Sequence, residues 1–242
     1  NAAAHAKEVI SEVEFAWRES AADSTWITIT GTNGKTTTTA LCAHLLRSGG
    51  WRAQAVGNIG DTCIEAVSKG ETDYFVAEVS SYQLASTKDL APDVAVLLNI
   101  TPDHLHWHHT LENYAAAKMK VLDNLVQVPG SVAVMDASND VVRAEVRRLR
   151  SIDGGCGFAI VPMGTVEGLQ GDMRARCGSE NAAFINGEGV LIVALKGQEH
   201  ALINADRLKI KGLHNAGNAL AAAAAALAAG ASDEAVCEAL AT

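Results

Sequence analysis

The alternation of apolar and polar positions divides most of this chain into short strands and amphipathic helices. Trp26-Ile-Thr-Ile-Thr30 reads as a strand. Tyr74 to Val79 and Val94 to Leu98 read as two more, the second almost wholly apolar. Strands without a polar face are expected in parallel sheets covered by helices on both sides. Between them, Lys35 to Arg47 reads as a helix, with Leu41 and Leu45 on one face and Gly49-Gly50 as its stop signal. Leu111 to Leu125 reads as a long helix, Ser131 to Met135 as a strand, and Asp140 to Arg150 as a helix. In that last helix Val142, Val146 and Leu149 point inward, and the basic outer face reads as a solvated surface.

Beyond Gly154 the texture changes. Ala183 to Ile185 and Val190 to Val193 flank Asn186-Gly-Glu-Gly189, which predicts a β-hairpin, with Asn-Gly supplying the positive φ angles. Leu208 to Lys211 is a candidate further strand. Asn215 to Ala229 predicts an alanine-rich helix stopped by Gly230, and Ser232 or Asp233 can cap a final helix. The fold class expected is α/β: a mostly parallel sheet with helices on both faces and a small antiparallel β annex.

Composition narrows the function. The 242 residues include 19 Lys and Arg against 28 Asp and Glu, a formal net charge of −9. A non-specific nucleic-acid binder needs a basic face, so no nucleic-acid partner is expected. The longest apolar run, Ala219 to Ala229, is too short and too weakly apolar to span a bilayer. No basic n-region followed by an apolar h-region is seen in the opening residues, so no secretory signal is expected. Cys42, Cys63, Cys156, Cys177 and Cys237 are scattered, without a C-x-x-C pair, which suits a reduced, cytoplasmic compartment. Asn at position 1 suggests a piece of something longer.

The sharpest chemical signal is Gly31-Thr32-Asn33-Gly34-Lys35-Thr36. It lies between a predicted strand and a predicted helix, where a phosphate-binding loop belongs. Glycines let backbone N–H groups curl around phosphate oxygens, and the helix N-terminus adds positive potential. Lys35 would reach the β- and γ-phosphates, and the Thr36 hydroxyl would bind Mg²⁺. The usual pattern has a glycine where this chain has Ile29, so the loop is a shorter variant. A glycine turn with an incidental lysine is the plainer reading, but the strand before and the helix after count against it.

Other candidates are weaker alone. Glu78 closes a predicted strand at the end of the sheet where ligands gather in α/β folds, though a strand-end carboxylate is ordinary. Asp103-His104-Leu-His106-Trp-His108-His109 invites a zinc reading, but it lacks paired cysteines, and His104, His106 and His108 share a face only if extended. Asn58 and Ser80 suit turn and capping chemistry, and Asn215 and Asn218 suit helix capping. Lys118, like Lys120, could be a plain surface lysine.

The loop, with Thr37 after it, resembles that of the Mur ligase superfamily, which includes the folylpolyglutamate synthases. Further segments fit in order: Gly57-Asn58-Ile59-Gly60, Glu78-Val-Ser80-Ser81-Tyr82-Gln83-Leu84, Asn99-Ile-Thr-Pro-Asp103-His104, Tyr114-Ala-Ala-Ala-Lys118 and Gly212-Leu-His214-Asn215-Ala-Gly-Asn218. The Ser-Ser-Tyr-Gln-Leu stretch and the Gly-Asn-Ile-Gly turn are most similar to the D-glutamate-adding branch. That resemblance implies a reaction in which ATP phosphorylates the carboxylate of UDP-MurNAc-L-alanine, and the amine of D-glutamate displaces phosphate from the acyl phosphate. It implies residues 1–22 as a junction from a missing UDP-binding domain, 23–242 as the central ATP-binding domain, and an absent C-terminal domain for the amino acid. The fragment alone would then be inactive, and the parent a cytoplasmic monomer serving peptidoglycan synthesis, cell shape and division.

By the same resemblance, Gly31 to Thr37 hold the ATP phosphates, with Lys35 catalytic, and Asn215 and Asn218 hold the adenine. Thr36 and Glu78 hold one Mg²⁺. His104 helps hold a second, together with Lys118 carbamylated by CO₂. Asn58, Ser80 and His104 face the muramoyl substrate. The family usually carries Asp where this chain has His106, which alters the local polar network. Four alternatives differ in class or branch. A kinase would not need Glu78, His104 and Lys118 together. A GTPase should carry an Asn-Lys-x-Asp base reader, which the sequence lacks. A non-enzymatic nucleotide-binding scaffold would not need an intact Lys35, Thr36 and Glu78. Ser81-Tyr82-Gln83 counts against a folylpolyglutamate synthase.

Overall fold

The computed structural model describes residues 6–164 and 181–242; Asn1 and Cys177 lie outside the described residues. Among the described residues, nine strands form one sheet in the order β2-β3-β1-β4-β5-β6-β7-β8-β9. They are β1 (Thr25–Thr30), β2 (Ala53–Gly57), β3 (Tyr74–Glu78), β4 (Val94–Leu97), β5 (Val132–Asp136), β6 (Ala159–Gly164), β7 (Ala182–Ile185), β8 (Val190–Leu195) and β9 (Gln198–Asn204). All pairings from β2 to β7 are parallel. The pairs β7–β8 and β8–β9 are antiparallel. The predicted antiparallel annex is therefore the far edge of the main sheet.

Period-two alternation sends neighbouring residues into two separate cores. Ile27, Ile29, Val76, Val94, Val96, Val132 and Val134 face one side. There they meet α2 (Lys35–Ser48), α8 (Leu213–Ala228) and α9 (Asp233–Ala241). Trp26, Phe75, Ala77, Ala95, Leu97, Ala133 and Met135 face the other. This side is covered by α1 (Glu12–Glu19), α3 (Cys63–Lys69), α4 (Ser81–Ala85), α6 (Leu111–Met119) and α7 (Asp140–Arg150). Trp26 stacks on Phe75 with centroids 4.7 Å apart, an arrangement worth about 0.5–1.5 kcal/mol beyond its buried area. The alanines of α8 from Ala219 to Ala226 are buried, and their small side chains let the helix lie close to the sheet and to α2.

The expected fold class holds, and several elements differ from the pattern reading. The helix predicted over Leu111–Leu125 ends at Met119 and continues as two 3₁₀ turns, Lys120–Leu122 and Leu125–Gln127. Asn124 breaks it with φ −107° and ψ 6°, and its amide donates to the carbonyls of Lys88 and Leu90, partners remote in sequence. In the hairpin the positive φ falls on Gly189, not on Asn186 or Gly187. The Asn186 carboxamide oxygen instead accepts from the backbone of Glu188 and Val190. Leu208–Lys211 is not a strand; the third antiparallel strand is β9, whose burial is partial and irregular, so it lacks an apolar signature. The segment read as a junction contains α1, whose Val13 and Ala16 are buried in the second core.

The connections create a crevice. The loop after β1 runs to α2 on one face. The loop after β4 runs through a short helix, α5 (Leu105–His108), to α6 on the other. Adjacent strands whose loops part to opposite faces leave an opening at their carboxyl ends, where ligands bind in such sheets.

Candidate active site

The loop Gly31–Gly34 leaves β1 at this crevice and feeds directly into α2. Two backbone features force glycine there. Gly31 has φ 154°, and a Cβ on it would lie 2.6 Å from Leu98 Cβ. Gly34 has φ 86°, and its Cβ would lie 2.4 Å from Asn218 Oδ1. The loop is braced from the segment after β4, where Asn99 Oδ1 accepts from Asn33 N at 3.0 Å and Asn99 Nδ2 donates to Asn33 O at 3.1 Å. Thr32 Oγ1 lies 3.1 Å from the Tyr114 hydroxyl and accepts from Thr101 N at 3.0 Å. Lys35 Nζ donates to Thr32 O at 2.9 Å. Thr37 is half-buried on the first turn of α2.

Glu78, at the end of β3, is 1% exposed. Its carboxylate accepts from the Thr36 hydroxyl at 2.8 Å and from Asn58 Nδ2 at 2.9 Å. A close approach allows the second contact, since a Cβ on Gly57 (φ 93°) would lie 2.5 Å from Glu78 O. Among the described residues no ion pair neutralises Glu78, although a carboxylate out of water needs a cation nearby. An oxygen pair made of one carboxylate and one hydroxyl beside this glycine loop fits Mg²⁺, which takes few protein ligands and completes its shell with water and phosphate.

A cavity of about 270 Å³ lies beside this pair, lined by Lys35, Asn58, Ser80, Ser81, Tyr82, His104, Tyr114 and Lys118. Lys118, on α6, is 2% exposed. Its Nζ donates to Gly31 O at 2.7 Å and sits 4.8 Å from the centre of the Tyr114 ring. Burial, reinforced by Lys35, pushes its pKa down to about 7, against the smaller opposing pull of Asp103 and Glu78. Ser80 is the N-cap of α4, in a capping box with Gln83. Its hydroxyl accepts from Gln83 N and donates to Gln83 Oε1, so capping is a use it already has. His104 caps α5 with φ 51°, exposed at the rim, its Nε2 3.5 Å from Asp103 Oδ2.

A second cavity of about 290 Å³ lies on the α8 side of the loop. Asn33, Gly34, Leu98, Asn99, Asp136, Met163, His214 and Asn218 are among its walls. Asn218 Oδ1 also reaches Thr38 Oγ1 at 3.4 Å. Asn215 is not in this wall; its Nδ2 donates to Lys211 O and its Oδ1 accepts from Asn218 Nδ2 at 3.3 Å, which makes it a support for Asn218. Burial raises the Asp136 carboxyl, which accepts from Ser138.

The histidines separate. His108 turns inward, 4% exposed, with Nε2 2.9 Å from the Ser81 hydroxyl, while His106 and His109 remain exposed. Among the described residues no group of three or more His, Cys, Asp or Glu is gathered as a metal cluster. Pattern reading passed over Tyr82, Asn99, Tyr114 and Ser81 as site-forming side chains. The signal available was position, since each sits just after a predicted strand or on the helix that carries Lys118.

A family model described as the Mur ligase middle domain matches residues 29–226. UDP-N-acetylmuramoylalanine–D-glutamate ligase of Thermoanaerobacter sp. (strain X514) is 34% identical over 236 residues, covering 97% of this chain and 47% of that protein. The ligase of the same name from Corynebacterium efficiens is 36% identical, covering 100% of this chain and 47% of that protein. The chain thus spans about half the length of the curated relatives it matches. Among solved structures, MurF from Acinetobacter baumannii superposes with a TM-score of 0.65 at 22% identity, over 96% of this chain and 48% of that one. A UDP-N-acetylmuramoyl-L-alanyl-D-glutamate–2,6-diaminopimelate ligase does so with 0.64 at 22%, over 90% and 46%. Both are similar in fold.

Proposed function

This chain belongs to the Mur ligase family, and on that premise we propose that it is the ATP-binding module of a longer ligase that adds D-glutamate to UDP-MurNAc-L-alanine. In this reading residues 23–242 are the central domain, residues 1–22 lead in from a UDP-binding domain, and an amino-acid-binding domain follows. The names and twofold length of the relatives support it. The observation that carries it is the meeting of Lys35, Asn58, Ser80, His104 and Lys118 on one cavity beside the buried Glu78, which accepts from the exposed Thr36.

The chemistry divides among these residues. Backbone N–H groups from Gly31 to Thr37 would hold the ATP phosphates, and Lys35 would release Thr32 O to balance charge on the γ-phosphoryl group. Asn218 and His214, with Leu98 and Met163, would take the adenine in the second cavity. Thr36 and Glu78 would hold one Mg²⁺, and His104 with Lys118 a second. When bound, the ions would neutralise phosphate charge so that an anionic carboxylate can approach. Lys118 suits its share because burial favours its neutral amine. That amine can add to the carbon of CO₂, losing a proton to leave an anionic carbamate. Asn58 and Ser80 would orient the acceptor carboxylate. Attack on the γ-phosphorus gives acyl phosphate and ADP; attack by the incoming amine then expels phosphate.

The test is phosphate release by the full-length protein, with UDP-MurNAc-L-alanine and amino acids offered singly. Release that requires D-glutamate is expected. Release with a different amino acid alone would move the protein to another branch, and none with any would end the ligase reading. The isolated chain should bind ATP weakly and make no product, because its reactants lack the walls that orient them and exclude water.

A further inference from the structure

The segment 104–109 is held in a backbone that its sequence does not favour. His104 has φ 51° and ψ 27°, and His109 has φ 70° and ψ −42°. Side chains with a Cβ seldom adopt positive φ, and such residues persist only where their surroundings over-determine them. Between them α5 has only four residues, too few to be stable alone. Something must hold it.

The holding contacts converge on His108. Its ring is buried among Tyr82, Trp107 and Tyr114, with centroids 5.7, 4.4 and 5.2 Å away. Its Nε2 meets the Ser81 hydroxyl at 2.9 Å, and Ser81 is 1% exposed. Its carbonyl accepts from Asn113 Nδ2 at 3.0 Å. Ser81 is the first residue of α4, directly after the capping residue Ser80 and before Tyr82, whose ring lies 5.2 Å from that of His104. One buried hydrogen bond therefore links the strained segment to the helix that forms the opposite wall of the cavity. His104, at the near end, contacts no element as deeply as His108 does; it is exposed and follows wherever the segment lies.

We propose that His108 is a positioning residue: through its hydrogen bond to Ser81 it pins segment 104–109 against α4 and so holds His104 at the cavity that contains Lys118. The proposal rests on the ligase reading for its effect on turnover, but not for its effect on His104. The perturbations are His108→Phe, which keeps an aromatic ring and removes the bond, Ser81→Ala, the double variant, and His108→Gln, which can replace the Nε2 contact.

In the full-length enzyme, His108→Phe is expected to lower kcat for phosphate release by about 10- to 100-fold, the size of effect that an ångström-scale displacement produces, with ATP affinity little changed. The double variant should be no worse than His108→Phe alone, and His108→Gln should recover most of the loss. Unchanged kcat in folded His108→Phe, or losses that multiply in the double variant, would overturn the proposal. If the wild-type protein shows no turnover, the ligase reading has failed, and a second readout decides separately. In the isolated chain the His104 imidazole NMR signals should move toward those of the exposed His106 in His108→Phe and return in His108→Gln. His104 signals unaffected by His108→Phe would also overturn it.

Discussion

Replacing Gly34 by alanine separates two demands that the proposed phosphate loop makes on one position. The first is backbone: at φ 86° an alanine has left-handed strain of about 1–2 kcal/mol, partly offset by the smaller entropy of its unfolded state. The second is space. The new Cβ would lie 2.4 Å from Asn218 Oδ1, so Asn218 must swing away. That forfeits its long bonds to Thr38 at 3.4 Å and Asn215 at 3.3 Å, about 1–2 kcal/mol together. Gly50 supplies the control, since it has φ 88° and nothing within 4 Å of a Cβ. Urea unfolding of the chain should therefore show a loss of about 1 kcal/mol for Gly50→Ala and about 2–3 kcal/mol for Gly34→Ala. In an Asn218→Ala background the two glycine substitutions should cost about the same, because the clash is gone. ATP affinity should fall in Gly34→Ala and not in Gly50→Ala. Equal losses for the two single variants would refute the claim that Asn218 closes over the loop.

Further expectations address the buried charges and the strained loop. Without CO₂, the Lys118 ammonium titrates near pH 7 in the folded chain and near 10.5 when unfolded. Between those values the unfolded state binds more protons, so stability should rise with pH, by at most about 1.4 kcal/mol per unit from this group. Lys118→Met should flatten that rise, which urea midpoints at pH 7, 8 and 9 would reveal; identical slopes would contradict the burial argument. In the full-length enzyme, Lys118→Ala should lose activity that short-chain carboxylates partly restore, as measured by phosphate release. Glu78→Gln should stabilise the metal-free chain by removing an unpaired buried charge, yet weaken Mg²⁺-dependent ATP binding by more than the roughly 10- to 100-fold of an outer partner. Calorimetric titration with and without Mg²⁺ tests this. His109→Gly should stabilise the chain by about 1 kcal/mol by relieving φ 70°, as read by thermal unfolding.

The elements legible from pattern were those whose burial is complete on one face or both. β1, β4, β5 and α7 read directly because valine, isoleucine and leucine repeat at the strand or helix period. β2, β6 and β9 did not. β2 and β9 lie at the two edges of the sheet and keep polar side chains, Gln54 in one and Gln198, Glu199 and His200 in the other. Pro162 interrupts the propensity signal of β6. A strand's existence there depends on a neighbour to pair with, which local sequence does not specify.

For the site the division is similar. Gly31, Gly34, Lys35 and Thr36 carry the pattern of a phosphate loop in consecutive residues, so the proposed phosphate site is legible from local sequence. Glu78, Asn58, Lys118 and Asn218 are chemically ordinary in the sequence. Only the parallel order of β2, β3, β1 and β4 brings Asn58 and Thr36 onto Glu78, and only the crossing from β4 to α6 buries Lys118 beneath Gly31. Burial then shifts the charge balance of Lys118 and leaves Glu78 seeking a cation. The histidines show the point most plainly. Four similar residues in one short stretch receive different roles because one turn of helix sends His108 into a buried bond with Ser81 and leaves His104 at the rim, a choice made by packing against α4 and not by the identity of the residues.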